Sequence, residues 1–154
     1  MLDGAWRGPA WSLQPSPDGP PKRIDLTQTE RVGSLLGGTV KLVEGRGYAA
    51  DGTTAFNALG VISYDPATRA YAMQANAMGS SGTFPISVSA TGFAWEIPAG
   101  PDARVRYTAT IAGGEWHEIG EYVAGDRPPV KVFEMRLKRV GSTDWPAAGA
   151  VLPR

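Results

Sequence analysis

The stretch Arg104-Val105-Arg106-Tyr107-Thr108-Ala109-Thr110-Ile111-Ala112-Gly113-Gly114-Glu115-Trp116-His117-Glu118-Ile119-Gly120-Glu121-Tyr122-Val123 decides the fold class. Two runs of alternating residues flank Gly113-Gly114, a dipeptide suited to a type I′ hairpin turn that needs positive φ at both positions. That turn pairs Ala112 with Glu115 and fixes the ladder that follows. Ile111 then faces Trp116, Ala109 faces Glu118, Tyr107 faces Gly120 and Val105 faces Tyr122. These residues share one side of the sheet. The other side carries Arg104, Arg106, Thr108 and Thr110 opposite Val123, Glu121, Ile119 and His117, with Arg106 placed for an ion pair with Glu121. One side is apolar and the other polar, so the apolar side faces a core.

The same alternation extends outward along the chain. Ten strands are predicted: Gly4–Leu13, Arg23–Val32, Thr39–Ala49, Thr54–Tyr64, Arg69–Met78, Thr83–Ala90, Gly92–Ile97, Arg104–Ala112, Glu115–Val123 and Val130–Val140. In the second, Ile24, Leu26, Gln28, Glu30 and Val32 share a face. Pro15–Pro21 reads as a Pro-rich loop and Gly79–Gly82 as a Gly-rich one. Asp65-Pro66-Ala67-Thr68 reads as a type I turn with Asp65 bonded to its own backbone. Nearly all connections are short, so successive strands are antiparallel neighbours. A ten-strand meander leaves two open edges unless it closes, which predicts an all-β, closed, up-and-down barrel. A two-sheet sandwich is the runner-up. The chain reads as a single domain over residues 1–154, with its core at about 3–140 and a Pro- and Ala-rich tail at 141–154.

Composition narrows the function. Fifteen basic and fifteen acidic residues cancel, giving no electrostatic reason for nucleic acid or an anionic membrane as partner. The absence of cysteine excludes disulfides and thiolate metal sites. No apolar run approaches the ~20 residues of a membrane helix. Met1-Leu2-Asp3 opens without a secretory pattern. A cytoplasmic protein and an exported one shorn of its leader would look the same, so the compartment stays open.

Glu118 is the residue out of place, a carboxylate on the aromatic side of the hairpin. Burial of an unpaired charge is costly, so it needs a partner, water or a proton. The last strand has two registers. One places Phe133, Met135 and Leu137 inside, with Glu134, Arg136 and Lys138 in water; the other brings Arg136 inside beside Glu118. Binary patterning favours the first. Glu118, Tyr107, Trp116, Tyr122, Trp95, Met135 and Arg136 are the candidate ligand-binding residues. Trp95, Tyr107, Trp116, Tyr122 and Met135 read equally as plain core, and for Glu118 a structural carboxylate that fixes register stands slightly ahead. His117 and Glu118 point to opposite faces, so they cannot form an acid–base pair, and an exposed His117 is expected. One His, no Cys and no calcium-loop spacing leave no metal site.

Gly4-Ala5-Trp6 resembles the Gly-x-Trp signature of calycins, the lipocalin and fatty-acid-binding-protein barrels. The resemblance implies that Trp6 packs near the closed end of a barrel, against an Arg of the last strand, Arg136 or Arg139. Leu36-Gly37-Gly38, Tyr64-Asp65 and Met78-Gly79 are similar to an uncharacterised bacterial calycin-like family, over roughly residues 3–140. Nitrobindin-type haem proteins share Gly-x-Trp-x-Gly, here Gly4-Ala5-Trp6-Arg7-Gly8, and ligate haem through a His near the last strand. Phe133–Arg139 holds no His here, so that haem mode is not expected; Met135 or Tyr107 as an axial ligand is a minor alternative. No cofactor is assigned. Three readings follow. The first is a module that binds a small, largely apolar ligand in the barrel. The second is a barrel enzyme, an isomerase, lyase or hydrolase with Glu118 as general acid or base. The third is a filled structural barrel, dimeric through outward residues such as Ile119.

Overall fold

A computed structural model describes residues 2–146. Ten strands follow in order: β1 (Gly4–Ser16), β2 (Gly19–Leu35), β3 (Val40–Tyr48), β4 (Thr54–Asp65), β5 (Ala70–Ala77), β6 (Ser80–Val88), β7 (Gly92–Pro98), β8 (Ala103–Ala112), β9 (Glu115–Ala124) and β10 (Val130–Gly141). Every neighbouring pair is antiparallel, and β1 closes on β10, so the sheet is a barrel with no free edge strand. No helix among the described residues is long and apolar enough to cross a membrane.

The deciding hairpin folds as its turn requires. Gly113 and Gly114 have φ of 58° and 79°, and the ladder runs from Ala112↔Glu115 through Ile111↔Trp116, Ala109↔Glu118, Tyr107↔Gly120 and Val105↔Tyr122. Arg106 stands opposite Glu121 as the register demands, but its nearest carboxylate is Glu96, at 3.9 Å. The Asp65 turn also forms, with the Ala67 N–H donating to Oδ1 of Asp65 at 2.8 Å.

Two loops predicted from Gly and Pro are strand instead. β1 and β2 continue to a tight turn at Pro17-Asp18, with Ser16 paired to Gly19. β10 reaches β1 only as far as Ser12, and β3 reaches β2 only from Thr27. Pro15, Pro20 and Pro21 therefore lie in a projecting two-stranded ribbon, beside a bulge, where no neighbour demands their missing N–H. Likewise Met78-Gly79 is a two-residue turn, both φ positive, and Gly82 belongs to β6.

The core fills one end of the barrel. Trp6, Val32, Ala109, Ile111, Trp116, Met135 and Leu137 pack together there, with Leu2 and Phe93 at the margin. Trp6 is 2 % exposed, meets Trp116 edge-on at 5.9 Å, and donates from Nε1 to the Leu2 carbonyl at 2.9 Å. Arg139 pairs with Trp6 across β1–β10 and donates from Nη2 to the Asp3 carbonyl at 3.0 Å, while Lys41 and Ser34 bond the Asp3 carboxylate. Of the two arginines proposed for this end, Arg139 is the one present. The segment after β10 is not loose throughout: the Trp145 carbonyl covers Gly33, and Arg31 lies over the Trp145 ring at 4.7 Å. The rest of the tail, 147–154, lies outside the described residues.

Strand packing is tight at Gly8. A Cβ there would sit 2.0 Å from the Arg136 carbonyl oxygen of the neighbouring strand. Backbone cannot yield as a flexible side chain can, so Gly8→Ala is expected to destabilise by roughly 2 kcal/mol or more. Urea unfolding reads this, and an unchanged midpoint would refute the contact.

Candidate functional site

β9 alternates Trp116, Glu118, Gly120 and Tyr122 inward, and His117, Ile119 and Glu121 outward. Glu118 is 6 % exposed. Its Oε2 accepts from the Trp116 indole Nε1–H at 3.1 Å, and the Trp95 indole lies close enough to favour the charged form as well. Trp95 stacks on Tyr107 at 4.5 Å and 15°, and Tyr107 meets Phe133 at 5.7 Å. Gly120, opposite Tyr107, leaves room for that ring: a Cβ there would be 2.9 Å from it. Burial pushes the Glu118 carboxyl up to about 7 against the pull of the two indoles. Burial, with the Glu118 charge adding to it, pushes the Tyr107 hydroxyl up to about 12.

A second carboxylate shares the interior, and the sequence reading did not single it out. Glu30 on β2 is 8 % exposed, and its Oε1 accepts from Gln28 Nε2 at 2.7 Å. Gly45 stands opposite it on β3, and any side chain there would collide with the carboxylate, with Cβ only 2.7 Å from an oxygen. Burial pushes Glu30 up to about 8, with the charges of Glu118 and Glu44 adding to the rise and Gln28 opposing it. The signal was present in the sequence, since Glu30 lies on the face of Ile24, Leu26 and Val32, which turns inward. At neutral pH both groups hold protons for much of the time, so each can donate as well as accept a hydrogen bond.

Of the seven predicted residues, Glu118, Trp116, Trp95, Tyr107 and Met135 are brought together inside. Met135 pairs with Glu118 across β9–β10, which is the register favoured by patterning. Tyr122 lies on the same face but at the rim, 38 % exposed, beside Val130. Arg136 is not part of the interior. It alternates outward between Met135 and Leu137 and bonds Glu134 at 2.9 Å. His117 also points outward and shares Glu134, as does Lys131. These partners, His117 first, pull the Glu134 carboxyl down to about 2.

Among the described residues, two of the clefts lie on the outer wall. One, of about 680 Å³, crosses β3 to β6 beside Glu44, Arg46, Leu59, Asn76 and Trp145. The other, of about 230 Å³, lies between β6, β7 and β8 and is lined by Pro85, Ser87, Ala94, Trp95, Glu96 and Arg106. Glu118 lines neither.

The fold has a solved counterpart. The barrel is similar to the crystal structure of Rv2717c from M. tuberculosis, with a TM-score of 0.62 at 15% identity, over 90% of this chain and 92% of that one. At that identity the likeness concerns the fold alone. No protein-family profile matches the sequence, and no curated protein does.

Proposed function

We propose that the barrel interior binds a small, largely apolar ligand, with Glu118 at its polar end. The observation that carries this reading is the position of the carboxyl. It is enclosed by Trp95, Tyr107 and Trp116 on the inner face, and the side-chain hydrogen bond it accepts comes from an indole, not from a cation. Trp95, Tyr107 and Phe133 face inward yet keep accessible surface, unlike Trp6 and Leu137 at the packed end. Ligand sites of this kind are mostly apolar with few polar groups to set orientation. The pairing of Trp6 with Arg139 across β1 and β10 supports a calycin-like relationship, in which such barrels are binding modules.

Native mass spectrometry of protein purified from its host, wild type against Glu118→Gln, tests this. Glutamine keeps the volume and loses the titratable proton. The variant is expected to hold its ligand about tenfold more weakly, the worth of one buried hydrogen bond. Equal ligand occupancy with altered stability alone would make the carboxyl structural. A carboxyl near 7 also suits proton transfer at neutral pH, which favours the enzyme as second reading. Turnover that follows a single ionisation near that value and vanishes in Glu118→Gln would decide for it.

A further inference from the structure

The ten seams of the barrel are unequal. Nine are held by six to twelve paired positions, whereas β6 and β7 share three: Ile86↔Trp95, Ser87↔Ala94 and Val88↔Phe93. The chain itself supplies the cause. The Ser89 N–H donates to the Gly92 carbonyl at 2.9 Å, so Ser89–Gly92 is a hydrogen-bonded pair. Such pairs alternate along an antiparallel ladder, and Ser87–Ala94 and then Pro85–Glu96 would be the next two. Pro85 has no N–H to give. The ladder stops there, and from Ser80 to Pro85 β6 is paired only to β5.

The 230 Å³ cleft opens at that interruption. Trp95 borders it, stacks on Tyr107 and lies close enough to Glu118 to favour its charged form, so one residue links the cleft to the interior carboxyl. Phe84, packed on Trp95 at 5.6 Å, is its partner across the gap. Arg106 borders the cleft from β8. Its Nε is buried without a hydrogen bond, because Arg104 takes the Glu96 carboxylate at 2.9 Å and leaves Arg106 at 3.9 Å. The rest of the side chain stays partly exposed, at 38%, so an anionic oxygen can reach the guanidinium from the cleft and meet an N–H that has no acceptor.

We infer that the β6–β7 seam is the entrance to the interior site, and that Arg106 receives there the acidic head of an amphiphilic ligand whose apolar body passes Phe84 and Trp95. The inference rests on the interior-binding reading and adds the route and the ligand class. The three-position ladder is the part that yields, since fewer backbone hydrogen bonds oppose opening there than at any other seam.

Two fluorescent probes of the same apolar shape test it: anilinonaphthalene sulfonate, and the uncharged N-phenylnaphthylamine. Arg106→Gln is expected to weaken the sulfonate about tenfold and the neutral probe less than twofold, while Arg106→Lys, which keeps the charge, retains most of the affinity. Ser87→Cys with Ala94→Cys joins facing positions in a chain that has no other cysteine. Oxidised, this pair is expected to slow association of both probes about tenfold in stopped flow, and reductant to restore the rate. Equal sulfonate affinity in folded Arg106→Gln, or an unchanged rate in the oxidised pair, overturns the proposal. Glu118→Gln reports on the interior separately. If it changes neither probe's affinity nor emission while Arg106→Gln weakens the sulfonate, the interior reading fails and the head-group site remains. If neither probe binds, both fall.

Discussion

Trp6→Ala is expected to lower unfolding stability by about 3–5 kcal/mol, the largest effect of any single truncation at the packed end. Trp6 is almost fully buried, and its ring is in edge contact with Trp116. Truncation removes this contact and opens a cavity bounded by Val32 and Leu137, which are themselves nearly inaccessible and sit on paired strands that cannot collapse inward. It also leaves the Leu2 carbonyl without its indole donor. Trp6→Phe separates the two contributions: it restores most of the volume but not the hydrogen bond, so about 1–2 kcal/mol of loss remains. Chemical denaturation of both variants measures this. A loss below 1 kcal/mol in Trp6→Ala would mean that the ring does not close that end.

What the sequence made legible follows from how local each determinant is. The β8–β9 register could be read because Gly113-Gly114 admits one short turn geometry, and a period of two then places every side chain. The inward side of Glu118 and the outward side of His117 follow from that alone. Pro15–Pro21 misled because proline excludes a residue only from positions whose N–H a neighbour requires, and strand overhang depends on the lengths of β3 and β10. The opposite holds at Pro85, whose missing N–H does face a neighbour. Its effect on the β6–β7 seam could not be read before closure set which side β7 lies on. Arg136 failed as a site residue because the favoured register already put it in water; only a slipped strand would have brought it in. Glu30 was legible by alternation with Leu26 and Val32. What could not be read was its proximity to Glu118, since β2 and β9 are separated by β1 and β10 and meet only across the closed barrel.

Burial of the two carboxyls, with the charge of Glu118 adding to it at Glu30, predicts an unusual pH dependence of stability. The wild type is expected to become less stable as pH rises from 5 to 8. Glu118 and Glu30 have folded values of about 7 and about 8 against an ordinary 4.5. The folded state therefore binds these protons more tightly than the unfolded chain, and stability falls with pH wherever that is so. The contribution is complete below pH 4.5 and is lost as pH rises through the two folded values, at roughly 3 kcal/mol for Glu118 and roughly 5 kcal/mol for Glu30. Below pH 4.5 the trend reverses. Glu134, held down to about 2 by His117, Lys131 and Arg136, loses those partners' benefit as it protonates, and Asp3 and Glu44 are lowered by their own basic neighbours. Stability thus peaks at mildly acid pH. Urea unfolding between pH 3 and 9 separates the groups. Glu30→Gln is expected to leave a shallower decline that ends near pH 7, Glu118→Gln to halve the slope between pH 4.5 and 7 while the decline runs on to about 8, and the double variant to be nearly flat above pH 5 while keeping the acid limb. A wild type whose stability is level or rising from pH 5 to 8 would show that the interior carboxyls find, in solution, a cation or enough water to ionise normally. Both the shared interior of Glu30 and Glu118 and the ligand role built on it would then have to be given up.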